Sequence, residues 1–115
     1  MDDASAARLA VIVPVGPGDT AWRDLLPQLA VLPAGSELCL SFADATPADV
    51  AAALRAQVPA LAASAIAGPR GRALQLNAGV AATRAPHLWL LHADTRLTPA
   101  VPAALSLAPW KICAP

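Results

Sequence analysis

Arg8-Leu9-Ala10-Val11-Ile12-Val13-Pro14-Val15, closed by Gly16-Pro17-Gly18, is the stretch on which the fold turns. It is apolar, rich in β-branched residues and stopped by a strong loop signal, so it reads as a strand leading into a loop. Asp19-Thr20 then predicts a helix N-cap, with Leu25, Leu26 and Leu29 on the apolar face and Pro27 as an interruption. The turn at Pro33-Ala34-Gly35 leads to a second strand over Glu37 to Ala43. Thr46-Pro47 places a cap and a Pro at the first position of a helix that runs to about Gln57, where Pro59 ends it. Ala60 to Ala67 reads as a short third strand, although Ala and Ser are poor strand formers.

After the loop Gly68-Pro69-Arg70-Gly71, the spacing predicts a helix from Arg72 to Thr83, with Leu74, Asn77, Ala78 and Ala81 on one face. His87 to His92 is a nearly continuous apolar run, which suits a central strand covered on both sides. Strands alternating with helices predict an α/β fold, a mostly parallel sheet of about four strands flanked by helices and wound in right-handed crossovers. No internal repeat or linker divides residues 1–115, which read as one domain. Beyond Thr98 four prolines leave room for only a short helix.

Composition narrows the function. Eight basic and eight acidic residues are scattered singly and cancel. Without a basic stripe to follow a phosphate backbone, nucleic acid is excluded as the expected partner. The 57% hydrophobic content reflects Ala, which is about a quarter of the chain. No run reaches the ~18 uncharged apolar residues of a membrane span. The first apolar run is too short for a signal peptide and follows Asp2 and Asp3, so the default expectation is cytoplasmic. Cys39 and Cys113 match no metal-ligand spacing and read as reduced thiols.

In an open parallel sheet, ligands bind beyond the carboxyl ends of the strands. That rule selects the loop after Val15, Asp44 after the second strand, Gly68 to Arg72, and Asp94 after the last strand. His92-Ala93-Asp94-Thr95 offers imidazole, carboxylate and hydroxyl together, and a hard cation bridging phosphates needs one or two carboxylates plus substrate oxygens. On residue types alone, Asp94 as a turn cap over a packed His92 is the more economical reading. Arg70-Gly71-Arg72 at a helix start suits a diphosphate, and equally suits two solvated arginines. Asn77 and Gly79 read as packing, and Asp44 and Asp49 as turn and cap residues or as ribose and base contacts. Trp22, Trp89 and Trp110 read as core or edge residues, since no second aromatic accompanies any of them.

Together these segments resemble the family 2 glycosyltransferases with a GT-A fold, and within them the branch typed as radical-SAM/selenodomain-associated transferase 2. The likeness rests on Pro69-Arg70-Gly71-Arg72-Ala73-Leu74-Gln75-Leu76-Asn77-Ala78-Gly79, followed by Leu91-His92-Ala93-Asp94-Thr95. Val11 to Val15 is similar to the family's first strand, and Asp44 and Asp49 keep the spacing of its Asp-Gly-Gly-Ser-Thr-Asp loop. The likeness covers about residues 9–98. It implies a Rossmann-like GT-A nucleotide-binding half, a UDP- or GDP-linked sugar as donor, and Mg²⁺ or Mn²⁺ as cofactor. It places Asp44 on the nucleoside, Arg70 and Arg72 with Asn77 along the nucleotide side, and Asp94 on the metal, as the last member of an Asp-x-Asp motif whose first position is His92 here.

The chain also departs from the family. Gly16-Pro17-Gly18 stands where Asn-Glu is usual, and Ala45-Thr46-Pro47 replaces Gly-Gly-Ser. The family continues for about as long again and supplies there the acceptor contacts and a general base, whereas nothing after Thr98 carries a carboxylate side chain. The expectation is therefore a chain truncated naturally, by a frameshift or by a gene-model error, with no catalytic residue of its own. The competing reading is a degenerate α/β fragment whose sheet edge after the fourth strand invites self-association. A nucleotidyltransferase fits less well, because its Gly-rich loop after strand one carries a basic residue that Gly16-Pro17-Gly18 lacks.

Overall fold

The computed structural model describes residues 9–95. In order come β1 (Leu9–Val15), α1 (Trp22–Leu29), β2 (Glu37–Ala43), α2 (Val50–Gln57), β3 (Ala62–Gly68), α3 (Arg72–Ala81) and β4 (His87–Leu90). The four strands form one parallel sheet in the order β3-β2-β1-β4. This is the expected α/β architecture, with strands and helices alternating. The expected short helix beyond Thr98, Trp110 and Cys113 lie outside the described residues.

Strand alternation splits the sheet into two unlike faces. Leu9, Val11, Val13 and Val15 of β1, with Leu38, Leu40 and Phe42 of β2, pack into one core with Trp22, Leu25, Leu26 and Leu29 of α1 and Val50 and Leu54 of α2. Trp22 is buried edge-on against Phe42, ring centroids 5.6 Å apart at 88°. The aromatic partner absent beside Trp22 in sequence thus comes from the adjacent strand. The opposite face carries α3, which packs on β1 and β2.

Pro27 does not break α1. It removes one backbone bond near the helix end, and the four buried apolar residues hold the remaining turns. The helix begins at Trp22, later than the Asp19-Thr20 cap predicts, because the Asp19 carboxylate accepts from the Ala21 N–H at 2.8 Å and closes a turn ahead of it. α2 likewise starts at Val50 rather than at Pro47: residues 47–50 form a turn closed by Val50 N–H on the Pro47 carbonyl, and Asp49 takes the capping position.

Two expectations are corrected. The buried residues of α3 are Gln75 and Gly79, with Leu76 and Ala78 half-buried, while Leu74, Asn77 and Ala81 are exposed. The reason is close approach: a Cβ on Gly79 would run into Ile12 Cγ2 of β1, so only the glycine side of the helix can lie against the sheet. Secondly, β4 is not central. Among the described residues it lies at the sheet edge beside β1, and all four of its residues are only half-buried. The central, fully buried strands are β1 and β2. No helix among the described residues is long and apolar enough to cross a membrane.

Candidate functional site

The strand order reverses at β1: the chain proceeds outward to β2 and β3, then returns to place β4 on the other side. Such a switch point opens a crevice at the carboxyl ends of the two diverging strands. The β1–β4 ladder ends with the Leu91 N–H on the Ile12 carbonyl at 3.0 Å. Pro14 lies two residues further and therefore turns its nitrogen to the same side, where β4 has already departed. A proline can sit in this central strand because no ladder partner awaits its missing N–H.

The cleft that opens there has a volume of about 350 Å³. Pro14, Gly16 and Asp19 form one wall, Arg72 and Gln75 of α3 a second, and His92, Ala93 and Asp94 after β4 the third. Asp94 lies in a turn closed by the Thr95 N–H on the His92 carbonyl at 3.1 Å. Arg72 opens α3 directly after Gly71, whose φ of +120° suits glycine and strains any other residue.

Of the residues singled out in sequence, Arg72 and Asp94 meet across this cleft with His92. Asp44 and Arg70 sit at the same end of the sheet but do not line it. They form an ion pair of their own, Arg70 Nε to Asp44 Oδ2 at 2.7 Å. Asp44 adopts φ +69°, a left-handed conformation that Asp tolerates better than most residues, and its N–H donates to the Gly68 carbonyl at 2.8 Å. With side chains 69% and 51% exposed, this pair positions two loops more than it stabilises the fold. Asn77 is exposed on α3, away from the cleft lining.

Asp49 is engaged elsewhere. Arg23 holds its carboxylate in a two-point fork, both contacts at 2.9 Å, while the guanidinium also lies over the Trp22 ring at 4.3 Å. The hydrogen bonds from Arg23 hold the Asp49 carboxyl below the usual carboxylate range against the opposing loss of hydration, with the charge of Arg23 and a backbone hydrogen bond adding less in the same direction. On the α3 side of the sheet, burial pushes the Cys39 thiol up and leaves it a small core residue rather than a nucleophile.

Sequence reasoning passed over Gln75. It is only 5% exposed and lies between Leu74 and Leu76. Its Nε2 donates to the Val15 carbonyl at 2.9 Å and to the Ser41 carbonyl at 2.8 Å, and its Oε1 accepts from the Gly71 N–H at 3.2 Å. The signal was present as a stripe: Gly71, Gln75 and Gly79 recur at four-residue spacing, along the helix face that meets the sheet.

Among the described residues, other hollows compete as sites. A groove of about 250 Å³ between α2 and β3 is lined mostly by Ala, Val and Leu, with Arg55 and Ser64 its polar side chains and no carboxylate or imidazole. One of about 240 Å³ lies behind the Gly16–Thr20 loop, floored by Trp22 and Phe42, and shares Gly16 and Asp19 with the cleft. The converging acid, base and helix start single out the crevice between β1 and β4. Compared with models of known protein families and with curated protein sequences, the chain matches none.

Proposed function

We propose that this chain carries the donor site of a family 2 type glycosyltransferase, in which the crevice between β1 and β4 takes the diphosphate of a UDP- or GDP-linked sugar together with Mg²⁺ or Mn²⁺. The observation that carries this reading is the meeting of Arg72 and Asp94 across one cleft at the switch point, from two motifs far apart in the chain. The α3 start adds backbone N–H groups, and Arg72 adds a planar fork suited to phosphate oxygens.

Among the described residues no group of three or more His, Cys, Asp or Glu side chains converges to hold a cation. Asp94 offers one carboxylate and Asp19 also lines the cleft, so a hard divalent ion here would draw most of its ligands from diphosphate oxygens and water, the usual habit of Mg²⁺. When bound, the ion neutralises charge on the diphosphate leaving group. Asp94 would anchor it, Arg72 would hold the phosphates, and Asp44, kept in place by Arg70, would stand toward the nucleoside. Transfer to an acceptor needs a carboxylate to deprotonate the attacking hydroxyl. No residue of the cleft is assigned that role.

Titration of the purified chain with UDP plus Mn²⁺, by calorimetry or NMR, tests the reading. Saturable binding that disappears in Asp94→Ala is expected, and no saturable signal at millimolar ligand would sink it. A second reading, a sheet completed by a partner chain, is favoured by the edge position of β4 among the described residues and by Leu74 and Val80 exposed on α3. Under it the same sample shows no nucleotide binding, and light scattering reports a dimer or larger species.

A further inference from the structure

We infer that Gln75 is a positioning residue of the cleft, one carboxamide that fixes the β1 and α3 walls relative to each other and to the end of β2. This rests on the donor-site reading for its functional consequence, though not for its structural claim. A glutamine amide has two N–H donors and one carbonyl acceptor. Both donors are spent on main-chain carbonyls of neighbouring strands, Val15 at the end of β1 and Ser41 near the end of β2, at 2.9 and 2.8 Å. The carbonyl takes the N–H of Gly71, the cap residue directly before α3.

Two of the tethered points lead directly into the cleft walls, and the third leads to the Asp44 loop beside them. Val15 leads into Gly16 and Asp19, Gly71 leads into Arg72, and Ser41 precedes Asp44 by three residues. With both of its protons on backbone oxygens, Gln75 acts through these segments and not as a donor to the ligand. Burial strengthens the effect, because a polar group held away from water is costly to leave unpaired and so has one favoured arrangement. The close contact of Gly79 with Ile12 one turn further on presses the same helix face to the sheet and holds the carboxamide within reach.

The test compares the wild-type chain with Gln75→Met, which keeps length and volume but loses all three hydrogen bonds. Hydrogen exchange measured by NMR should show the Gly71 amide protected in the wild type and at least tenfold faster in Q75M. UDP–Mn²⁺ affinity should fall by tenfold or more while the melting curve remains cooperative. An unchanged Gly71 exchange rate overturns the tethering, whether or not nucleotide binds. Unchanged affinity in a variant that has lost the tether overturns its importance for the cleft. Absence of binding by the wild type counts against the donor-site reading and leaves the exchange result to decide the tethering. Should Q75M not fold, the wild-type side chain decides alone: both Nε2 protons must be protected from exchange, and free-amide rates overturn the inference.

Discussion

On one face of the sheet, Leu, Val and Phe side chains from β1 and β2 meet Trp22 and three leucines of α1. On the other face, Ala10, Ile12, Cys39 and Ser41 meet a helix whose buried residues are Gln75 and Gly79. The first face uses bulk and obtains hydrophobic stabilisation from it; the second uses small groups and hydrogen bonds and obtains position. Arg72, which belongs to the second, lines the cleft with residues from the β1 and β4 ends. A helix held close through a glycine and registered by a buried amide can present its first turn to a ligand with little freedom to drift.

The most damaging way to probe this contrast is Trp22→Ala. Trp22 is 1% exposed, touches Phe42 edge-to-face and supports the Arg23 guanidinium. Removal of such a side chain costs about 3–5 kcal/mol, a large part of the ~5–15 kcal/mol that holds an ordinary domain together. Chemical denaturation should give a much lower midpoint or a chain unfolded at room temperature. Stability close to wild type would mean that the two faces share the load far more evenly.

Gly79→Ala sharpens the comparison from the other face. Alanine gains about 1 kcal/mol of helix propensity, so on an exposed helix the change would stabilise. Here the new methyl meets Ile12 Cγ2, on a β-branched side chain fully buried in a central strand and with nowhere to retreat. Overpacking of this kind costs about 1–3 kcal/mol, so the expected net result is destabilisation by about 1 kcal/mol. The displacement should also reach Arg72 through α3 and weaken the UDP–Mn²⁺ binding proposed for the cleft. An increase in melting temperature would show that α3 is free to lift away.

These two positions also mark what the sequence made legible. Residues 9–15 and 37–43 announced themselves as strands by apolar, β-branched runs, and the alternation with helices implied a parallel sheet. Strand order did not follow from that. His87 to Leu90 is as apolar as a central strand, yet lies at the edge among the described residues, because hydrophobicity reports burial preference and not neighbours. The face of α3 misled for a related reason. Counting apolar residues selects Leu74, whereas the sheet surface there is closed to bulk and accepts the stripe through Gly71, Gln75 and Gly79. Arg72 and Asp94 were legible as candidates because the carboxyl-end rule places them. Gln75 showed in sequence only as part of that stripe; its role did not, because the two carbonyls its amide donates to are remote in sequence.

The gentlest probe is the link between the α1 side of the molecule and the loop that leads into α2. Arg23 forks onto Asp49 while lying over Trp22, so it ties exposed charge to the rim of the apolar core. Since Arg23 holds the Asp49 carboxyl below its ordinary range, the folded state favours the ionised form. A carboxyl depressed on folding contributes stability above its unfolded pKa and loses that contribution as pH falls through the folded value. The effect is therefore intact at neutral pH and lost only at the acid end. In Arg23→Gln the NMR titration midpoint of Asp49 should rise toward that of a free carboxylate, with little change in melting temperature at neutral pH, because exposed pairs are screened by water and salt. Arg23→Lys keeps the charge but cannot reproduce the two-point fork, so its Asp49 midpoint should fall between the other two. A midpoint in Arg23→Gln equal to wild type would place the cause of the depression in the loop backbone instead of in the guanidinium.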